Sequence, residues 1–173
     1  MKNLERENLK PMSDKNKILF KTKKLYVMKS QLPEAGLGLY TYFQIKKGES
    51  LGGYKGKLLT LEECKQEKYL PLWGHMLDLS NIEKIYPYVA IHPSKNMVLR
   101  YINHAPDTVD GKKVKGKWAV NVFFSEIEEF PYIEIVAKRD IDANSEIFLN
   151  YGPGFSNLFL KNQKLRNFYL SKM

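Results

Sequence analysis

The chain has 173 residues, 43% of them hydrophobic, a single cysteine and a formal net charge of +9. That length supports one domain with a real core and falls short of two ordinary ones, while the lone Cys64 excludes an intrachain disulfide and any multi-cysteine zinc site. No metal site is expected, and a reducing compartment fits.

No apolar run reaches signal-peptide or bilayer-spanning length, which predicts a soluble intracellular protein with no membrane partner. It would be cytoplasmic in a bacterium, or would reach a host nucleus if the chain is an effector or a viral protein. The positive charge sits at the ends. Residues 1–24 carry eight Lys/Arg against three acids, residues 155–173 carry four against none, and the stretch between is neutral. A dedicated nucleic-acid binder needs a basic stripe on its folded face, so nucleic acid is expected to be at most an accessory contact through the tails.

In chain order, residues 1–24 are polar and aperiodic and read as a flexible basic tail. Leu25–Met28 is a β-type run, and Pro33-Glu-Ala-Gly36 has loop chemistry passing into a strand toward Tyr40. Lys46–Glu49 is a turn, and Ser50–Leu59 reads as a glycine-studded strand or a bent pair of strands. Thr60-Leu-Glu-Glu63 resembles an N-cap with an acidic first turn, opening a short helix that Pro71 should end. Asp107–Lys117 is an exposed hairpin or loop. Trp118–Phe124 and Tyr132–Ala137 read as two strands joined across an acidic turn, and Glu146–Asn150 as another. Beyond Pro153-Gly154, apolar residues from Phe155 to Tyr169 recur three and four apart, predicting one terminal amphipathic helix with Ser156 as its cap. Many short strands, abundant glycine turns and little helix make a mainly β domain.

Two polar motifs interrupt apolar runs. Arg100-Tyr-Ile-Asn-His104 offers an amide, an imidazole and two main-chain groups at one spot, which suits recognition of a purine edge. About fifty residues later, Glu146-Ile-Phe-Leu-Asn-Tyr151-Gly152 places a phenol where a strand stops. Asn-His turns and Tyr-Gly strand ends are also ordinary structural punctuation.

Taken in order, four segments resemble the SET domain family, lysine methyltransferases that use S-adenosylmethionine. Gly36-Leu-Gly38 resembles its Gly-x-Gly loop and Tyr54-Lys-Gly56 its Tyr-x-Gly. Asn96-Met-Val-Leu-Arg-Tyr-Ile-Asn-His104 resembles Gly-Asn-x-x-Arg-Phe-Ile-Asn-His, and Glu146–Gly152 resembles Glu-Leu-x-x-Asp-Tyr-Gly. Ile45–Glu49 and Ala137–Ile141 also look like family phrases. The resemblance covers residues 25–153 and implies a β-clip fold of short twisted sheets with a C-terminal pseudoknot. It implies S-adenosylmethionine bound by Gly36, Leu37, Gly38, Arg100, Tyr101, Asn103, His104 and Tyr151. Tyr151 would be the main catalytic residue, supported by Tyr54, with Leu149, Tyr86 and Tyr88 lining a lysine channel. The implied partner is a protein substrate lysine, on a histone or another basic protein.

The chemistry favours those roles. A lysine amine is almost wholly protonated at neutral pH, and deprotonating it takes roughly 4.6 kcal/mol. An apolar channel lowers that figure, and a phenol is too weak a base to do so but can orient the amine lone pair. Gly36 and Gly38 would let backbone approach a ligand.

The departures are specific. Ala105-Pro106-Asp107 replaces a Ser-Cys-x-Pro-Asn continuation, leaving Asn121 as a delayed counterpart of its final Asn. Asn150 replaces the Asp before the tyrosine. No cysteine cluster follows the domain, so residues 154–173 are expected to cover the active site, through Phe155, Phe159 and Phe168. In the family a phenol two residues before the tyrosine restricts methylation; Leu149 predicts capacity for more than one methyl. A catalytically idle SET-like protein-binding module is the alternative.

Overall fold

The computed structural model describes residues 20–21, 24–80, 87–126 and 133–173. The predicted tail, Tyr86 and the acidic turn before Tyr132 lie outside or almost wholly outside these residues. The strands are β1 (Phe20–Lys21), β2 (Leu25–Lys29), β3 (Leu37–Thr41), β4 (Ser50–Gly53), β5 (Gly56–Thr60), β6 (Leu77–Asp78), β7 (Tyr88–Pro93), β8 (Asn103–His104), β9 (Thr108–Val109), β10 (Lys112–Lys113), β11 (Val122–Glu126), β12 (Ile133–Ala137) and β13 (Phe148–Leu149). Helices are short: α1 (Leu61–Cys64), α2 (Pro153–Phe159) and α3 (Gln163–Leu170), with 3-10 turns between strands.

The strands form three small antiparallel sheets, β1-β2-β3, β5-β7-β6 and β11-β12-β4, the hairpin β9-β10, and one parallel pair, β8-β13. Alternation explains the sheets. In β12, Ile133, Ile135 and Ala137 point into the core while Glu134 and Val136 lie partly outside. Val27, Leu39, Ile91, Val122, Ile135 and Ile147 come from five strands and the segment before β13 to make the main core. A second core forms where Phe148 meets Ala105, Val109, Leu165 and Tyr169. The predicted turn at Lys46–Glu49 docks on 137–141 through reciprocal bonds between Ile45 and Ile141 and through Lys47 N to Asp140.

The last segment before α2 is threaded between other pieces of chain. Ile147 N donates to Leu39 O at 2.8 Å, Ala105 N to Leu149 O at 3.0 Å, and Asn121 N to Phe148 O at 3.0 Å. Residues 146–149 therefore lie between the two legs of the 105–121 loop, which is the implied knotted arrangement. Threading is rare because connections seldom pass through loops.

Three local expectations change here. The capping box is present, with Glu63 N on Thr60 Oγ1 at 3.2 Å and Thr60 N on Glu63 Oε2 at 3.0 Å. The α-helix it opens ends at Cys64, however, and a 3-10 stretch, Glu67–His75, runs through Pro71. Separate i→i+3 turns can be chained across a proline that would break an α-helix. Trp118 belongs to a 3-10 turn, Gly116–Trp118, closed by Ala119 N on Gly116 O, and the strand starts only at Val122. The expected strand Glu146–Asn150 pairs as a regular strand only over Phe148–Leu149.

The terminal helix is two helices. Asn162 caps α3 by accepting from Lys164 N and Leu165 N, while α2 starts at Pro153 behind Gly152, whose φ is +102°. Ser156 is not the cap: it lies inside α2, and its hydroxyl bonds back to Gly152 O. Two of the four cations here face acids on the body, Lys164 on Glu34 and Arg166 on Asp110, each at 2.5 Å.

Candidate active site

Beside the β8-β13 pair lies a cavity of about 490 Å³. Its walls are the 32–37 loop before β3, Gly74 and His75 at the end of the long 3-10 stretch, residues 100–104, Tyr151, and Phe155, Phe159, Asn162 and Leu165 of the terminal helices. Five of the residues singled out by sequence, Leu37, Arg100, Tyr101, Asn103 and His104, meet Tyr151 here.

Tyr151 follows β13 and its hydroxyl donates to Ile102 O, in a short contact. The side chain is 42% exposed at its outer face, but burial of the phenol end pushes its pKa up to about 12. It stays neutral at any physiological pH. Tyr54 is buried and its hydroxyl donates to His75 O, so it braces the wall of the cavity without lining it. Burial raises its pKa as well.

His104 lines the cavity, and its ring also has a structural task. Its ring is 3% exposed and both nitrogens are engaged: Nδ1 accepts from Tyr151 N at 3.0 Å, and Nε2 lies 3.1 Å from Ser156 Oγ. An accepting Nδ1 puts the proton of the neutral ring on Nε2, which donates to Ser156 Oγ, and Ser156 in turn donates to Gly152 O at 3.0 Å. Burial lowers the pKa to about 4, so the ring is neutral. Phe155 and Phe159 pack edge-on to it at 5.0 and 4.8 Å. The imidazole is a clamp joining the β8 turn, the Tyr151–Gly152 turn and α2.

Asn103 donates through Nδ2 to Leu37 O at 2.9 Å and to Glu146 Oε1 at 3.1 Å, which leaves its side-chain oxygen for another partner. Arg100 stacks its guanidinium 4.8 Å from the centre of the Tyr101 ring and donates through Nη2 to the Tyr101 hydroxyl. Its Nε is buried with no hydrogen-bond partner.

Sequence reasoning passed over the most connected polar group here, the Glu146 carboxylate. It is 3% exposed and accepts from Ser30 Oγ at 2.6 Å, Gln31 N at 2.9 Å, Tyr40 Oη at 2.9 Å and Asn103 Nδ2 at 3.1 Å. This also changes the reading of Gly38. A Cβ there would stand 2.2 Å from Glu146 Oε1, so Gly38 makes room for that carboxylate rather than for a ligand. Gly36 has φ +70° and open space where a Cβ would go; glycine suits the turn for its backbone alone.

Asn121, 1% exposed, bridges the threaded segment by donating to Glu146 O at 2.9 Å and accepting from Phe148 N at 2.8 Å. Asn150 donates to Asp107 and accepts from Gly152 N, so the lost charge is replaced by two hydrogen bonds. Ala105 is fully buried in the second core.

Not all the expected channel residues converge. Leu149 is buried in the main core and does not line the cavity. Tyr88 is 39% exposed at the start of β7, away from the lining. Phe168 packs on Trp118 at 4.8 Å instead of covering the cavity. Tyr86 lies outside the described residues. Among the described residues no cluster of three metal-ligating side chains occurs, and no helix is long and apolar enough to cross a membrane.

A knotted β architecture with a tyrosine and an Asn-His turn on one cavity defines a class, and the chain belongs to the SET domain family, which it matches over residues 36–152. It is 32% identical over 143 residues to the histone-lysine N-methyltransferase EZH2 of Chaetomium thermophilum, covering 77% of this chain and 8% of that protein. It is 28% identical over 120 residues to the histone-lysine N-methyltransferase SUV39H1-A of Danio rerio, covering 67% of this chain and 27% of that one. The fold is similar to a crystal structure of the Chaetomium thermophilum polycomb repressive complex 2, with a TM-score of 0.57 at 25% identity over 80% of this chain and 16% of that chain. It is also similar to that complex in an autoinhibited conformation bound to S-adenosylmethionine, with a TM-score of 0.54 at 25% identity over 83% and 17% of the two chains. The chain thus spans less than a third of the length of these relatives.

Proposed function

We propose that this chain is a protein-lysine N-methyltransferase that transfers a methyl group from S-adenosylmethionine to a lysine ε-amine of a protein substrate. The observation that carries the reading is the meeting of Tyr151 with Asn103 and Arg100 on one cavity in a SET domain. A volume of about 490 Å³ is within the roughly 300–1,000 Å³ usual for small-molecule sites.

The donors present fit the cofactor. The Asn103 side-chain oxygen and the main chain of the 32–37 loop are available to hydrogen-bond the cofactor, Tyr101, Phe155 and Phe159 offer aromatic faces to an adenine, and the unpaired Arg100 Nε suits a carboxylate. When bound, S-adenosylmethionine supplies a methyl group activated by a positively charged sulfur.

The chain's own residues act by position and by exclusion of water. Because the Tyr151 proton is given to Ile102 O, its oxygen keeps lone pairs that can accept from an amine N–H. With a pKa of about 12 the phenol orients the amine and does not deprotonate it. Tyr54 holds the wall that carries His75, and the His104–Ser156–Gly152 chain holds Tyr151 and α2 in register. The terminal helices close one side of the cavity, with Phe155 and Phe159 as the cover.

Radiolabelled methyl transfer onto a lysine peptide array tests the reading. Activity is expected from the wild type, with a loss of at least roughly 100-fold in Tyr151→Phe, the order expected when one oriented polar group is removed from a transition state. A wild type that binds lysine peptides yet transfers no methyl group would establish the idle binding module instead.

A further inference from the structure

We infer that Glu146 is the positioning residue of the cofactor site: its buried carboxylate sets the shape of the 32–37 loop and the aim of the Asn103 amide, and through them the affinity for S-adenosylmethionine. The inference rests on the methyl-transfer reading above.

The division of labour along residues 146–149 is the reason. Residues 147–149 dock by burying their side chains in the two cores and by polar bonds that are main chain or come from Asn121: Ile147 N on Leu39 O, Leu149 O under Ala105 N, Phe148 O under Asn121 N, and the two Asn121 side-chain bonds. The Glu146 side chain takes no part in that docking. Its four donors, Ser30 Oγ, Gln31 N, Tyr40 Oη and Asn103 Nδ2, all lie on the cavity loop, its flanks or the Asn-His turn.

Both ends of the loop are tied to it. At the start, Ser30 Oγ gives its proton to Glu146 and accepts from Leu32 N at 3.0 Å, while Ser30 N closes the loop onto Gly36 O at 2.9 Å. At the far end the carboxylate occupies the space a side chain at Gly38 would need, and Asn103 Nδ2 spans from it to Leu37 O. Leu32, Leu37 and Asn103 line the cavity, whereas Glu146 does not; it acts through them.

Only a carboxylate fits this place. Four donors converge on two oxygens, and among the described residues no ion-pair partner is recorded for Glu146. A glutamine would turn an NH2 group toward donors and leave at least one pair facing each other. The main-chain docking survives that change, so the variant is expected to fold with a displaced loop.

The full chain carrying Glu146→Gln tests this, by calorimetric titration with S-adenosylmethionine and by steady-state methyl transfer to a lysine peptide. The expected result is a rise of roughly tenfold or more in the cofactor Kd and KM, the scale of a lost hydrogen bond to a charged group. The peptide KM and the kcat at saturating cofactor should stay within about twofold of wild type. A merely structural role lowers the active fraction, so kcat falls at unchanged KM; that pattern, or an unchanged Kd, overturns the inference.

Should Glu146→Gln fail to fold, Ser30→Ala and Tyr40→Phe each withdraw one donor, and each is expected to raise the cofactor Kd about threefold, with the same outcomes decisive. A wild type that binds no S-adenosylmethionine refutes the methyl-transfer reading and this inference with it, a result distinct from normal binding in both proteins.

Discussion

Acidification should destabilise this protein through His104 before most carboxylates titrate. The folded imidazole is 3% exposed, and burial lowers its pKa from 6.5 to about 4, with the Asp107 carboxylate pulling weakly upward. As the pH falls below 6.5 the unfolded chain gains a proton there, while the folded ring stays neutral until about 4. The unfolded state binds more protons across that window, so the His104 contribution is fully present above pH 6.5 and is lost as the pH drops toward 4.

At 1.36 kcal/mol per unit the whole window amounts to about 3 kcal/mol, of which about 2 kcal/mol has gone by pH 5. The geometry gives the cause: a charged ring would carry a proton on Nδ1, where Tyr151 N now donates. Urea unfolding at pH 7, 6 and 5 measures it, with His104→Asn as the comparison. Asparagine keeps an acceptor near the Nδ1 position and has no proton to gain. His92, whose pKa is also lowered by burial, is present in both proteins and cancels. Wild type should lose about 2 kcal/mol more than the variant between pH 7 and 5. Parallel slopes for the two proteins would refute the reasoning.

Asn121→Ala removes both side-chain bonds to the threaded segment and strands a buried carbonyl and a buried N–H; it should cost about 3 kcal/mol by denaturant titration, at roughly 1–3 kcal/mol for each group left unpaired. Deleting residues 155–173 strips Leu165 and Tyr169 from the second core, at about 1.5–3 kcal/mol each. Melting temperature and S-adenosylmethionine affinity should both fall, and a truncated chain with unchanged values would show that the helices cover nothing.

Local chemistry made much of the architecture readable. The β2 and β3 runs, the exposed hairpin around Asp110-Gly111, the capping box at Thr60 and the turn at Lys46–Glu49 each depend on neighbours within a few residues, and short-range physics writes them directly into residue order. The four motifs, in their order, carried the family. Helix termination at 160–162 was less legible, since the apolar spacing continues past a break that the Asn162 cap imposes.

What no pattern could supply is where side chains end up once distant segments meet. Glu146 stands at a position that reads as the polar edge of a strand, yet Ser30, Gln31 and Tyr40, which hold its carboxylate, lie 116, 115 and 106 residues away in sequence. Folding alone made the His104 ring a buried clamp, set Gly38 against a carboxylate, and left Tyr88 on the surface. Residue order determined the family, the strands and the phenol at the strand end, because these follow from local conformational preference and short motifs. The tertiary structure decided which polar groups are free to meet a ligand and which are spent holding the site together, because burial and hydrogen-bond geometry exist only after the chain has closed on itself.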